Sequence, residues 1–400
     1  MNLTPVSAEQ RRDLRLTRLY YLIFFGGSGF LSPFINLFFI HQGLSGAQVG
    51  SIASIFAFVT LLAAPFWTSR SIGWQNPRAA LQLFVLLTAL SYLFLSQQTV
   101  FWGIALFSVM RALVSAGISP LSDSLALTLT KASGAGYGSV RVWGSLGWVI
   151  FVPFSGWLIE RTALVTSLLG AALLTATASL ILFGISQEPF GGRRVSSARL
   201  TLREQLGKLR HNPAMIGLAL MVIVIGIGSS GVLLFENVYL QQLGASNTLI
   251  GVIGTLSAVV ELPCMLWADR LIARRGSYRI LLLSLPLYFG LRVFVLLFPS
   301  IVAISLSRAL AGFCFSFYTV ALTRFIAEQS SPTETRTMLA LYTVTITNLV
   351  SIVSAPLAGA AFDAFGARWL YLIAAIGYSC AWLTMFFTGR RYSELAPPLP

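Results

Sequence analysis

Twelve apolar stretches, each about 20 residues long, run from end to end of this 400-residue chain and leave it few possible folds. They fall at 18–40, 47–69, 79–97, 100–123, 137–159, 164–185, 213–240, 248–268, 279–297, 300–323, 338–360 and 366–388. Each is long enough to cross a hydrocarbon layer roughly 30 Å thick. Lipid offers no hydrogen bonds to an open backbone, so the spans are expected as helices, and the runs are too long for barrel strands. Hydrophobic residues make up 56% of the chain and charged residues 10%, too little polar cover for a soluble domain. The expectation is an all-α polytopic membrane protein with about 12 transmembrane helices.

The formal net charge of +14 raises the question of nucleic acid, and its distribution answers it. Of the 27 Lys and Arg residues, 21 fall in the N-terminus, the alternate loops on that side, the central linker and the C-terminus. The opposite loops hold Arg161 and Arg368 alone, and Arg111, Arg141, Arg292 and Arg308 lie inside spans. Such a bias orients a membrane protein, here with both termini in the cytoplasm. The basicity is topological, with some attraction to anionic lipid, and no nucleic-acid partner is expected. Cys264, Cys314 and Cys380 all sit in apolar spans, where a small buried hydrophobe is the ordinary role. His41 and His211 lie far apart on opposite sides, so no metal site is expected. The first apolar run is too long for a signal-peptide core and has no small-x-small cleavage pattern after it, so it is expected to remain as the first helix.

The longest polar stretch, QEPFGGRRVSSARLTLREQLGKLRHNP, separates six spans from six. The expected domains are 1–186 and 213–400, two six-helix bundles joined by a cytoplasmic linker at 187–212. Repeated text supports a duplication. FINLFFIHQGLSGAQVGSI (34–52) matches FENVYLQQLGASNTLIGVI (235–253) at Phe34/Phe235, Asn36/Asn237, Gly43/Gly244, Ser45/Ser246 and Gly50/Gly251. Trp67 to Arg70 matches Trp267 to Arg270, Arg111-Ala-Leu matches Arg308-Ala-Leu, and Pro153-x-x-Gly156 matches Pro356-x-x-Gly359. All keep the same order at offsets of 197 to 203. A parallel duplication of this kind is the layout of secondary transporters that bind solute near the midplane.

With its basic central loop, this two-by-six layout resembles the major facilitator superfamily. LWADRLIARRGSYR (266–279) is similar to that family's signature between the second and third helices of a half. The resemblance implies a cytoplasmic gate in which Asp269 and the bases Arg270, Arg274, Arg275 and Arg279 flank the Gly276 turn and latch helix ends. The first-half copy carries Arg70 but has Ser69 in place of the acid, which implies a weaker latch there.

Seven charged residues lie inside spans: Arg111, Asp123, Arg141, Glu236, Glu261, Arg292 and Arg308. Each costs roughly 2.5–3.5 kcal/mol at mid-helix, so each needs a partner or a function. With the hairpin turn centred near residue 132, Asp123 and Arg141 are expected at equal depth, facing each other as an ion pair. A guanidinium fork keeps donors for a solute's hydroxyl or carboxylate groups, and Trp148, two turns beyond Arg141, offers a flat apolar face. This constellation resembles the solute site of the lactose-permease-like symporters, matched at Arg141, Gly144, Ser145, Gly147 and Trp148 with Asp123 as the acid. YGSVRVWGSLG and SPLSDSLA, with Trp143 and Glu261-x-Pro263, resemble the phenylpropionate-permease-like group more closely. The resemblance implies a coupling role for Arg292, while Ala311 and Cys314 stand where the lactose group keeps its proton-handling His and Glu.

The function expected is secondary active transport: proton-coupled symport of a small polar or amphipathic solute of sugar, nucleoside or aromatic-acid type. A carboxyl group in an apolar surrounding takes up a proton and yields it beside a cation. Glu261, deeper in its span, is preferred to Glu236 as that group, with Arg292, Arg308 and Arg111 as the cations. Asn36 and Asn237, at equivalent repeat positions, are candidates for lining the solute cavity. Proton-driven export by the same fold is the nearest rival, and a non-transporting sensor a further one. No clustered nucleophile–base pair points to an enzyme. The proton gradient replaces any cofactor, and the chain is expected as a monomer in the plasma (inner) membrane.

Overall fold

The computed structural model describes residues 7–70, 76–133, 136–186, 207, 212–331 and 334–395. The linker expected at 187–212 falls outside them except for Gly207 and Asn212. The described residues form twelve apolar helical spans. We number them α1 (Ala8–Leu31, resuming as Ile35–His41), α2 (Gly46–Arg70), α3 (Pro77–Ser96), α4 (Phe101–Ser115, resuming as Ile118–Ser133), α5 (Gly138–Arg161) and α6 (Thr166–Phe183). The second six are α7 (Pro213–Gln242), α8 (Asn247–Arg275), α9 (Ser277–Leu297), α10 (Ile301–Glu328), α11 and α12 (Ala367–Leu395). Span α11 joins Thr335–Ala340 to Ile346–Phe365 through a π-helical turn at Leu341–Thr345.

Several helices outrun the hydropathy that reveals them. α1 starts at Ala8, where Ser7 and Gln10 form a reciprocal capping box, and α4, α8 and α10 extend to Ser133, Arg275 and Glu328. All four extensions are on the basic side. Beyond the hydrocarbon a helix still satisfies its own backbone, so the helix need not stop where apolarity does.

The repeated text acquires a physical meaning at the turn after α1 and its counterpart after α7. Gly43 and Gly244 have φ of +83° and +88°, in the left-handed region that favours glycine. The Gly43 and Leu44 amides donate to the Ile40 and Phe39 carbonyls, and the Gly244 and Ala245 amides to those of Gln241 and Leu240. Both are Schellman closures. Ser45 Oγ then accepts from the Gln48 amide (3.2 Å) and Ser246 Oγ from the Leu249 amide (3.2 Å), starting the next helix.

Two compact units emerge. Unit 1 holds the described residues up to Leu44, those from Phe58 to Ser196, and Ser246–Thr255; unit 2 holds Ser45–Ala57, the remainder to Ala245, and the chain from Leu256. In unit 1, α1 packs on α5 and α6, and α3 on α4 and α6. In unit 2, α7 packs on α11 and α12, and α9 on α10 and α12, the same pairings one repeat later. Tyr20, Tyr21, Leu81, Leu125 and Leu182 centre the first core, and Leu218, Leu281, Phe325 and Tyr342 the second. Large apolar side chains such as Leu173, Leu180 and Phe183 stay exposed on α6, as lipid-facing positions require.

Each unit also receives a short segment from the other sequence half. Within unit 2, the start of α2 lies on α11: Asp363 accepts from the Gly46 and Ala47 amides at 2.6 and 2.8 Å. Within unit 1, the start of α8 lies on α5, where Glu160 accepts from the Asn247 amide at 2.5 Å. The repeated glycines sit at these crossings. A Cβ on Gly50 would fall 2.1 Å from the Ala355 carbonyl oxygen, and one on Gly251 2.8 Å from that of Val152.

Candidate solute and coupling sites

In unit 1 the acid Asp123 is not held by Arg141. α4 runs ten residues past Asp123 to Ser133, and α5 begins at Gly138, so the hairpin turn falls later than residue 132. Asp123 and Arg141 are therefore not equidistant from it, and Tyr137, just before α5, takes the place expected for Arg141. Tyr137 donates its hydroxyl to Asp123 Oδ1 at 2.7 Å, and Tyr21 of α1 donates to the same oxygen at 3.1 Å. The expected direct ion pair is corrected: no such pair within 4 Å joins Asp123 and Arg141, although both are described. Next to them Tyr20 and Ser122 share a buried 2.7 Å hydrogen bond.

Arg141 is exposed, with its guanidinium carbon 4.4 Å from the centre of the Phe25 ring. Phe25 is one turn after Tyr21, and their rings lie 5.6 Å apart, so one face of α1 orients both the acid and the base. The glycines between Arg141 and Trp148 make this possible. A Cβ at Gly147 would meet the Leu22 carbonyl oxygen at 2.2 Å, and one at Gly144 the Phe25 ring at 2.9 Å. α1 and α5 thus approach backbone to backbone, which brings the half-buried Trp148 beside Gly29. Trp143 packs against the core of unit 1, and Asn36 is half-buried in the second segment of α1.

Unit 2 holds a denser ionic cluster. Glu236 is 6% exposed and receives Arg308 Nε, while Arg292 Nη1 lies 3.7 Å from its other oxygen. Tyr371 of α12 donates to Glu236 at 2.7 Å, and Arg308 Nη2 donates to Asn237 Oδ1 at 3.0 Å. Glu236 is thereby fixed from α9, α10 and α12 together. Glu261 is different: it is half-buried on α8, and among the described residues its carboxylate has no ion-pair partner. Its backbone carbonyl accepts from Ser316 of α10 at 3.0 Å. Arg111, the first-half counterpart of Arg308, stands 5.9 Å from the centre of the Tyr92 ring.

Twelve spans, repeated pairings and intramembrane ions narrow the field, and comparison with known proteins closes it. Residues 14–373 match the MFS_1 like family. The chain belongs to that family. It is 32% identical over 274 residues to the maltose permease of Geobacillus stearothermophilus, a match spanning 66% of each chain. It is 25% identical over 278 residues to the probable 3-phenylpropionic acid transporter of Escherichia coli K12, covering 68% of this chain and 71% of that one. The crystal structure of the nucleoside transporter NupG superposes with a TM-score of 0.80 over 97% of this chain and 99% of that one, at 15% identity. The fold is that of the major facilitator superfamily. The protein is a multi-pass, non-enzymatic secondary transporter of small organic solutes.

The family signature at the basic end takes a simple form. α8 ends with Asp269, Arg270, Arg274 and Arg275 exposed, Gly276 turns the chain with φ +82°, and Arg279 opens α9. Among the described residues Asp269 makes no ion pair; it borders a cleft with Thr323, Arg324 and Glu328. Arg70, at the end of α2, is likewise exposed. The residues that sequence reasoning missed are Tyr21, Tyr137, Phe25 and Tyr371. The available signal was a tyrosine inside an apolar span, whose buried hydroxyl needs a partner.

Proposed function

We propose that this transporter imports a small hydroxyl- or carboxyl-bearing organic solute together with a proton. The observation that carries the coupling is the contrast among three intramembrane carboxylates. Glu236 is committed to two arginines and a tyrosine, and Asp123 to two tyrosines through one oxygen. Among the described residues Glu261 remains without an ion-pair partner, which supports it as the group that loads and releases the proton. Arg292, Arg308 and Arg111 are assigned as the coupling cations.

Solute recognition is assigned to Asp123, Arg141 and Trp148, with Trp143, Asn36 and Asn237 in support. Because the acid and the base are not spent on each other, both can turn to a ligand. The sequence halves 1–186 and 213–400, joined by 187–212, act as the two bodies of an alternating-access cycle in the plasma membrane, with both termini cytoplasmic. The segment from Asp269 to Arg279, with Arg70, gates its cytoplasmic end, and the working unit is a monomer.

Glu261→Gln tests the coupling. In right-side-out vesicles the variant is expected to exchange solute at equilibrium yet lose uphill uptake and the solute-driven alkalinisation outside. Unchanged uphill uptake would clear Glu261. Solute accumulation in inverted vesicles with an acid interior, in place of uptake in right-side-out ones, would reverse the direction to export. Arg141→Lys is expected to weaken solute binding about tenfold or more, the worth of one hydrogen bond to a charged group. A lysine keeps the charge but lacks the planar fork, so near-normal affinity would return Arg141 to a packing role.

A further inference from the structure

The ions that meet at Glu236 in unit 2 do not balance among themselves. Among the described residues Glu236 is the carboxylate paired with Arg292 and also the one paired with Arg308. One negative and two positive charges leave one positive charge over. Asn237 and Tyr371, which also bond to the cluster, are neutral. Arg292 is 8% exposed, and among the described residues its Nε has no hydrogen-bond partner. Taking a cation out of water without a counter-charge is costly, and intramembrane ions of this kind mark solute or ion pathways.

The cluster is also not a packing motif kept by both halves. Phe34/Phe235 and Asn36/Asn237 align Glu236 with Ile35, so the first half has an apolar residue where the second has its acid. The charge is particular to unit 2. Its geometry shows where an anion would enter. Arg308 spends Nε on Glu236 and Nη2 on Asn237, and its side chain is 24% exposed while that of Arg292 is 10%. Glu236 and Asn237 therefore hold the guanidinium in a set orientation from one side, and Arg308 is the more open of the two cations.

We propose that the Arg292–Arg308 cluster is an anion subsite that takes the carboxylate of an organic monoanion, with Arg308 as the contact residue and Tyr371, acting through Glu236, as a positioning residue. This rests on the solute-transport reading and narrows its cargo to carboxylates. Chloride carries the same charge, so the test must separate the two sources.

The test is binding to the purified full chain in chloride-free buffer, read by thermal stabilisation and calorimetry. Benzoate is compared with benzamide, acetate with acetamide, and chloride is titrated alone. The expected result is that each carboxylate binds at least about tenfold more tightly than its amide. Arg308→Gln should erase that ratio and Arg308→Lys keep part of it; if the glutamine variant does not fold, the acid-to-amide ratio of the native chain decides. Equal affinity for acid and amide, or no stabilisation by any anion, overturns the subsite. Stabilisation by chloride but by neither carboxylate overturns the assignment to cargo. These outcomes are independent of the Glu261→Gln uptake assay, so loss of the anion subsite and loss of proton coupling are told apart.

Discussion

Glu236→Leu is expected to lower the stability of the folded protein by about 3–5 kcal/mol, the cost of removing one member of a buried ion pair. Leucine fills a similar volume and suits an apolar surrounding, so hydropathy alone would rate the change as mild. The structure argues the reverse. Glu236 offsets Arg292 through one oxygen and Arg308 through the other, and without it two guanidinium groups face each other with no carboxylate between them. Tyr371 also loses its acceptor, which leaves a fully buried hydroxyl to find another. Domains are stable by only about 5–15 kcal/mol, so little monodisperse protein should be recovered. Glu236→Gln keeps an acceptor for Tyr371 and Arg308 and removes the charge alone; it should fall between leucine and the native residue. Tyr371→Phe removes one hydrogen bond and should cost about 0.5–1.5 kcal/mol. Thermal unfolding of the three variants in detergent gives the order. If the leucine variant melts with the native protein, Glu236 does not balance the two arginines.

The same cluster shows what could be read from the chain and what could not. That Glu236, Arg292 and Arg308 needed reasons for lying in apolar spans followed from the cost of charge in lipid. Which of them would meet did not follow, because partner choice depends on how four helices are rotated about their axes. Glu261 and Arg292, an equally reasonable pair by sequence, are not paired. Asp123 makes the point more sharply. Equal distance from an assumed turn put Arg141 opposite it, but the helix continues to Ser133, so the two are not equidistant from the turn, and Tyr137 and Tyr21 hold the acid instead. Hydropathy records where the hydrocarbon ends and is blind to helix that continues into water. The fold was far more legible. Twelve apolar runs give twelve spans, and paired residues such as Gly43/Gly244 and Ser45/Ser246 mark matching turns, since backbone geometry there admits few alternatives.

Gly359→Val is expected to abolish transport. A Cβ at this position would lie 2.0 Å from the Gly46 carbonyl oxygen and 2.9 Å from the Ala47 Cα, and both are backbone atoms with no rotamer to escape into. The start of α2 must therefore move off α11, and in moving it gives up the two amide hydrogen bonds to Asp363 and the close contact of Gly50 with Ala355. Overpacking costs about 1–3 kcal/mol and loss of a helix cap about another 1 kcal/mol, so the protein should still insert and fold. Function should suffer more than stability. A cycle that separates the two sequence halves at this end has to break the contact and remake it, and the valine forbids remaking. The matching contact in unit 1 gives an internal control. Gly156 faces the Asn247 carbonyl oxygen at 2.4 Å from its Cβ position, and Glu160 caps α8 as Asp363 caps α2. Gly156→Val should thus reproduce the defect, whereas Asp363→Asn, which keeps an acceptor and removes only the charge, should slow transport without stopping it. Solute uptake and the melting temperature, measured on the same preparations, separate the two effects. In addition, a cysteine at Ser45 should react faster with a water-soluble maleimide in the Gly359→Val background. Native uptake by that variant, or an unchanged labelling rate, would mean that the start of α2 does not need its seat on α11.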